Sequence, residues 1–136
     1  MDGSQTTEEY RAIQVSPCGP HLGAEISNID LTRPLADDQI VELRRAFTDH
    51  LVLFFRDQEI EFEDHARLAE YFGTIGSHVG GKTISDPTND PRVRKFHADA
   101  DTMKVSGDIW HTDQSCAEVP PLGSILYLHT IPSGGG

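Results

Sequence analysis

Residues 109–115 read Ile-Trp-His-Thr-Asp-Gln-Ser. After Pro120-Pro121-Leu122-Gly123 the chain continues Ser124-Ile125-Leu126-Tyr127-Leu128-His129-Thr130-Ile131. The second segment alternates: Leu126 and Leu128 fall on one face, Ile125, Tyr127 and Ile131 on the other, which predicts a strand over 124–131. On a strand or strand end, residues i and i+2 share a face. His111 and Asp113 then offer an imidazole nitrogen and a carboxylate oxygen to one ion. That is two thirds of the two-histidine, one-carboxylate triad that holds non-haem Fe(II) with positions left open. Both residue types also bind zinc. The same tripeptide form occurs at His97-Ala98-Asp99, among Asp101, Lys104 and Ser106, where no wall excludes water. Ile109, Trp110 and the following strand are expected to give the 111–113 copy apolar walls and a rigid support. His-x-Asp by itself leaves both copies open between a ligand pair and ordinary polar residues.

Upstream of this segment, residues 74–108 show little periodicity, with Gly80-Gly81, Pro87, Asn89 and Pro91 as punctuation and one short strand expected at 93–96. A run of that length without regular structure reads as a lid or binding loop. Before it, Phe62, Ala66, Leu68, Ala69 and Phe72 mark the apolar side of a helix that Gly73 is expected to stop at C′. Glu59, Glu61, Glu63 and Asp64 gather at its start, where a solvated acidic face is favoured by the helix dipole. Val52–Arg56 reads as a buried strand closed by a turn at Asp57-Gln58. Ile40, Leu43, Phe47 and Leu51 set the period of an earlier helix, with Asp37 as its N-cap. Ile13 and Val15 alternate with polar neighbours in a strand stopped by Pro17-Cys18-Gly19-Pro20. Residues 1–10 are polar and read as a loose tail.

The chain of 136 residues carries 22 acidic against 11 basic side chains, for a formal net charge of −11. One domain, or a piece of one, fits that length. Hydrophobic residues make up 37% of it, beside 12 glycines, enough for a core. The acidic balance disfavours nucleic acid, whose non-specific binding runs on phosphate neutralisation. A small anionic substrate stays compatible, because a pocket's local field can oppose the net charge. The longest apolar run, Leu51–Phe55, is far short of the ~20 residues that span a bilayer. With no signal peptide and only Cys18 and Cys116, the expected setting is a reducing cytoplasm.

Several motifs in register resemble the taurine dioxygenase (TauD/TfdA) family. They are Leu22-Gly23-Ala24-Glu25-Ile26, Asp30-Leu31-x-x-Pro34-Leu35, His50–Gln58, Phe72-Gly73, Trp110–Ser115, Pro120-Pro121-x-Gly123 and Ile131–Gly136. The resemblance runs from about residue 13 to the end. It implies an α+β chain with a double-stranded β-helix (jelly-roll) core, of which residues 1–136 form the N-terminal portion. It also implies an Fe(II)- and 2-oxoglutarate-dependent dioxygenase that uses O2 to hydroxylate a small organic substrate, releasing succinate and CO2. His111 and Asp113 would be the proximal iron ligands.

By the pattern Phe-Gly-x-x-x-x-His, His78 corresponds to a histidine that meets the substrate's anionic head in taurine-type members; a surface-loop histidine is its other reading. Gly107 and Cys116 stand where taurine enzymes carry an Asn and a Phe, so the pocket suits a related sulfonate, an alkyl sulfate or a carboxylate as well as taurine. The family's distal histidine and its 2-oxoglutarate-binding residues are expected downstream, so residues 1–136 alone should be inactive. His129 lies on the Tyr127 face, where the family places no ligand, and reads as an ordinary strand histidine. Two alternatives keep the same residues: a non-catalytic binding module on this fold, and a Zn-dependent hydrolase using the His-x-Asp pair. The implied partner is a small molecule, with no nucleic acid or membrane and with a homo-oligomer left open.

Overall fold

The computed structural model describes residues 9–76, 102 and 109–130. The chain divides into two units, residues 1–72 and 73–136.

In the first unit, β1 (Gln14–Pro17), β2 (Ala24–Ser27) and β3 (Leu53–Phe55) form a sheet in that order. β1 and β2 are antiparallel, pairing Gln14 with Ser27 and Pro17 with Ala24. The turn between them depends on Gly23, at φ +84°, whose N–H donates to the His50 carbonyl at 2.9 Å. A Cβ there would touch the Phe54 ring at 3.5 Å and Cys18 at 3.6 Å in a backbone region that L side chains avoid. β2 and β3 are parallel, pairing Ala24 with Leu53 and Ile26 with Phe55. Parallel strands need a crossover, usually a helix. Here α1 (Asp37–His50) supplies it.

Asp37 is the first residue of α1 and not the N-cap expected from sequence. Ala36 is the N-cap, and its N–H donates to Gln39 Oε1 at 3.2 Å. Asp37 and Asp38 lie in the first turn, where negative charge is favoured. Leu43 and Ala46 are the buried positions, with Ile40 packed against the core. Leu51 ends the helix in the left-handed region (φ 65°) and is 60% exposed, so it leaves the apolar stripe that period alone assigned to it. β3 is likewise only partly buried: among the described residues it pairs on one side only, Leu53 and Phe55 pack against the core, and Phe54 is exposed. α2 (Phe62–Glu70) buries Ala66 and Leu68, while Phe47 and Phe72 meet edge to face at 5.4 Å. Its cap is Tyr71 in right-handed geometry, which puts Gly73 (φ 152°) one residue beyond the expected C′ stop.

Ile13, Ile26, Leu31, Leu35, Leu43, Ala46 and Leu68 form one core. The loop carrying Leu31 and Leu35 has no ladder to satisfy its amides, and polar side chains do so instead. Gln58 accepts from Leu31 N–H at 3.0 Å and donates to the Ile29 carbonyl at 3.4 Å. Arg67 donates to the Leu31 carbonyl at 3.0 Å, and the Leu35 N–H donates to Tyr71 Oη at 2.9 Å. Tyr10, at the end of the stretch read as a loose tail, donates to Asp49 at 2.8 Å and stacks under Arg45. Burial, the Asp49 hydrogen bond and its charge raise the Tyr10 pKa.

In the second unit the described residues contain turns and extended chain but no strand. This corrects the expectation of a strand over 124–131. A strand exists by pairing, and no described segment pairs with residues 124–130. The alternation survives as exposure, with Ile125 and Tyr127 each at 36% and Leu126 and Leu128 at 75% and 59%. The acidic cluster at the start of α2 is a helix terminus, as expected: Glu61 N–H donates to Asp64 Oδ2 at 3.0 Å, and Arg67 pairs with Asp64 at 2.6 Å. Among the described residues no helix is long and apolar enough to cross a membrane. Most of 74–108, including the strand expected at 93–96, lies outside the described residues.

Candidate metal centre

His111 Nε2 and Asp113 Oδ1 stand 3.2 Å apart. Two features of the surrounding chain put them there. His111 Nδ1 lies 2.7 Å from the Ile109 carbonyl oxygen, and a carbonyl only accepts, so the network assigns the proton to Nδ1 in the neutral ring. Nε2 then carries a lone pair. On the other side, Asp113 Oδ2 accepts from Ser124 Oγ at 3.2 Å. Directly after Asp113 the backbone turns left-handed at Gln114 (φ 52°), and Ala117 N–H returns to the Gln114 carbonyl at 3.0 Å. A non-glycine residue in that region costs about 1 kcal/mol. The same turn brings Thr112 Oγ1 and Ser115 Oγ to 2.5 Å.

With the imidazole neutral, Nε2 and Oδ1 are two electron-pair donors that repel unless a cation lies between them. A proton can fill that role, and so can a metal. Cis ligands each ~2.0–2.2 Å from one ion are about 3 Å apart, which the observed separation fits. The Nδ1–H···O=C contact is the arrangement that orients metal-binding histidines. Side-chain exposures of 50% for His111 and 62% for Asp113 leave the pair open to solvent.

The expected apolar wall is not present among the described residues. Ile109 is 74% exposed and the Trp110 side chain is fully exposed. A wall requires a packing partner across the site, and the flanking sequence alone does not provide one. His129 Nδ1 contacts Thr130 Oγ1 at 3.0 Å. Among the described residues no group of three His, Cys, Asp or Glu side chains converges. His78, His97, Asp99 and Gly107 lie outside the described residues. Cys18 and Cys116 are free and exposed. Ser124 and the Ile109 carbonyl were not singled out from sequence. The first is eleven positions from Asp113, and the second is a backbone atom; only the serine's place just after the Pro-Pro-x-Gly turn could have drawn attention to it.

An oriented histidine beside a carboxylate, on turns rather than within a sheet, is what the described residues place at the His-x-Asp tripeptide. Residues 14–136 match the family described as taurine catabolism dioxygenase TauD, TfdA family. The chain belongs to that family, whose members share the double-stranded β-helix dioxygenase fold; the described residues supply an α+β part of it. Relatives include an alkylsulfatase of Acinetobacter baylyi, 31% identical over 91% of this chain and 38% of that protein. An alpha-ketoglutarate-dependent sulfonate dioxygenase of Saccharomyces cerevisiae is 30% identical over 95% of this chain and 33% of its own length. The chain thus spans well under half of either relative's length. Among solved structures, a taurine dioxygenase from Burkholderia xenovorans is 37% identical, covering 57% of this chain and 28% of its own, with a TM-score of 0.48.

Proposed function

We propose that the full chain is an Fe(II)- and 2-oxoglutarate-dependent dioxygenase acting on a small organic anion of the sulfonate or sulfate-ester type, with His111 and Asp113 as two of its metal ligands. The observation that carries this reading is the 3.2 Å approach of His111 Nε2 and Asp113 Oδ1. Family membership over residues 14–136 and relatives named for sulfonate and alkyl sulfate chemistry support it.

The bound metal with 2-oxoglutarate and O2 supplies the oxidising chemistry, coupling decarboxylation to succinate and CO2 with hydroxylation of a substrate C–H bond. The protein's own residues prepare for it. The Ile109 carbonyl engages His111 Nδ1, which leaves Nε2 as the nitrogen that faces Asp113. Asp113 contributes the negative charge that a divalent ion requires and His111 none, which leaves net positive charge for an anionic co-substrate. His78, placed by the Phe72-Gly73 pattern, is assigned the substrate's anionic head. The proposed compartment is the cytoplasm, where Cys18 and Cys116 stay reduced.

The test is succinate release by the full chain supplied with Fe(II), 2-oxoglutarate and a panel of sulfonates, alkyl sulfates and carboxylates. Succinate formed in an O2-dependent, substrate-stimulated way is the expected result. Substrate hydrolysis that proceeds without O2 would instead establish a Zn-type hydrolase, and absence of any turnover a binding module.

A further inference from the structure

The two carboxylate oxygens of Asp113 face different partners: Oδ1 faces His111 Nε2 and Oδ2 the Ser124 hydroxyl. We infer that Ser124 is a positioning residue for the metal centre, holding the Asp113 carboxylate so that one oxygen alone is presented beside His111; this rests on reading that pair as ligands. An aspartate's terminal torsion is broad and roughly two-fold, and its two oxygens are otherwise equivalent donors. Unrestrained, the carboxylate can turn both oxygens to one ion and occupy a second coordination position. A centre that must keep positions open loses function by that route. A hydroxyl donating to Oδ2 breaks the equivalence, because rotation toward two-oxygen binding gives up the hydrogen bond.

The contact joins the 111–113 segment to the chain beyond the Pro120-Pro121 turn, so it also fixes where that segment leaves the site. At 3.2 Å the contact is longer than the usual O–H···O range of ~2.5–3.0 Å. Ser124 therefore biases the carboxylate without locking it. Its removal belongs at the low end of the 10–100-fold loss of metal affinity that follows loss of such outer partners. Ser124 is exposed, so truncation to alanine removes no core packing.

The experiment titrates Co(II) into the full chain and reads both affinity and the d–d absorption spectrum, whose intensity reports coordination number. Ser124→Ala should bind Co(II) roughly tenfold more weakly, with an altered spectrum as Asp113 takes up two-oxygen binding. Ser124→Thr, which keeps the hydroxyl, should restore both. Alanine and wild-type chains alike in affinity and spectrum, or a threonine variant as impaired as alanine, overturns the role of Ser124. His111→Ala separates the two levels. Loss of Co(II) binding in that variant keeps the ligand pair standing whatever Ser124 does, and wild-type binding in it removes the pair and the inference together.

Discussion

Glu42 on α1 receives the backbone N–H groups of three consecutive residues. Arg11 donates to both its oxygens at 2.8 and 3.0 Å, Ala12 at 2.9 Å and Ile13 at 3.1 Å. Glu42→Ala removes the acceptor these three amides share, while the Tyr10–Asp49 hydrogen bond still ties the start of the chain to the helix. Hydrogen bonds to charged groups contribute about 1.5–3 kcal/mol each when well sheltered. Water can replace the carboxylate at the exposed Arg11 amide, so the net local loss is about 1–2 kcal/mol. That corresponds to roughly five- to thirty-fold faster opening. Native-state hydrogen exchange of the full chain reads it residue by residue: the Ala12 and Ile13 amides should lose protection by that factor while the Leu43 amide is unchanged. Protection left intact at 12 and 13 would refute the reasoning. Glu42→Gln, which keeps one acceptor oxygen, should fall between.

Acid should mimic the mutation. Burial acts to raise the Glu42 pKa, but the three backbone donors and the Arg45 charge outweigh it and the net direction is down. A carboxylate depressed in the folded state contributes stability that is present above its unfolded value, ~4.3, and is lost as pH falls through the lower folded value. The amide proton shifts of residues 11–13 should therefore titrate together below the ordinary glutamate range.

Leu43, fully buried, should cost about 2–5 kcal/mol as Leu43→Ala, read as a lowered urea midpoint of the full chain; a loss under about 1 kcal/mol contradicts the core assignment. Gln58→Leu leaves the part-buried Leu31 N–H without its acceptor, and a loss of about 1–3 kcal/mol is expected in the same measurement. His78→Ala should raise KM for the anionic substrate at least about tenfold, on the scale of a lost charge-assisted hydrogen bond, and leave metal affinity alone; an unchanged KM returns His78 to the surface-loop reading.

The elements that period and turn chemistry control were legible from sequence. The stripe of α1, the start of α2 and the strand before Pro17 follow from side-chain spacing and stop residues. β2 was not assigned, because four residues flanked by loops carry no lasting alternation. β3 read as buried because its apolar run is silent about how many neighbours a strand has. Segment 124–131 shows the same gap: alternation sets which side chains share a face, but pairing makes the strand. At the candidate centre, His111 and Asp113 stood out by residue type and spacing. Ile109's carbonyl and Ser124 did not, since one is backbone and the other reaches Asp113 only through the turn at Gln114.

The most direct test of the proposed centre is anomalous diffraction from crystals of the full chain grown with Mn(II). A peak is expected ~2.0–2.2 Å from both His111 Nε2 and Asp113 Oδ1, by the usual imidazole and carboxylate ligand distances. A Mn(II) peak coordinated by His97 and Asp99, or none at the 111–113 pair, would contradict the assignment.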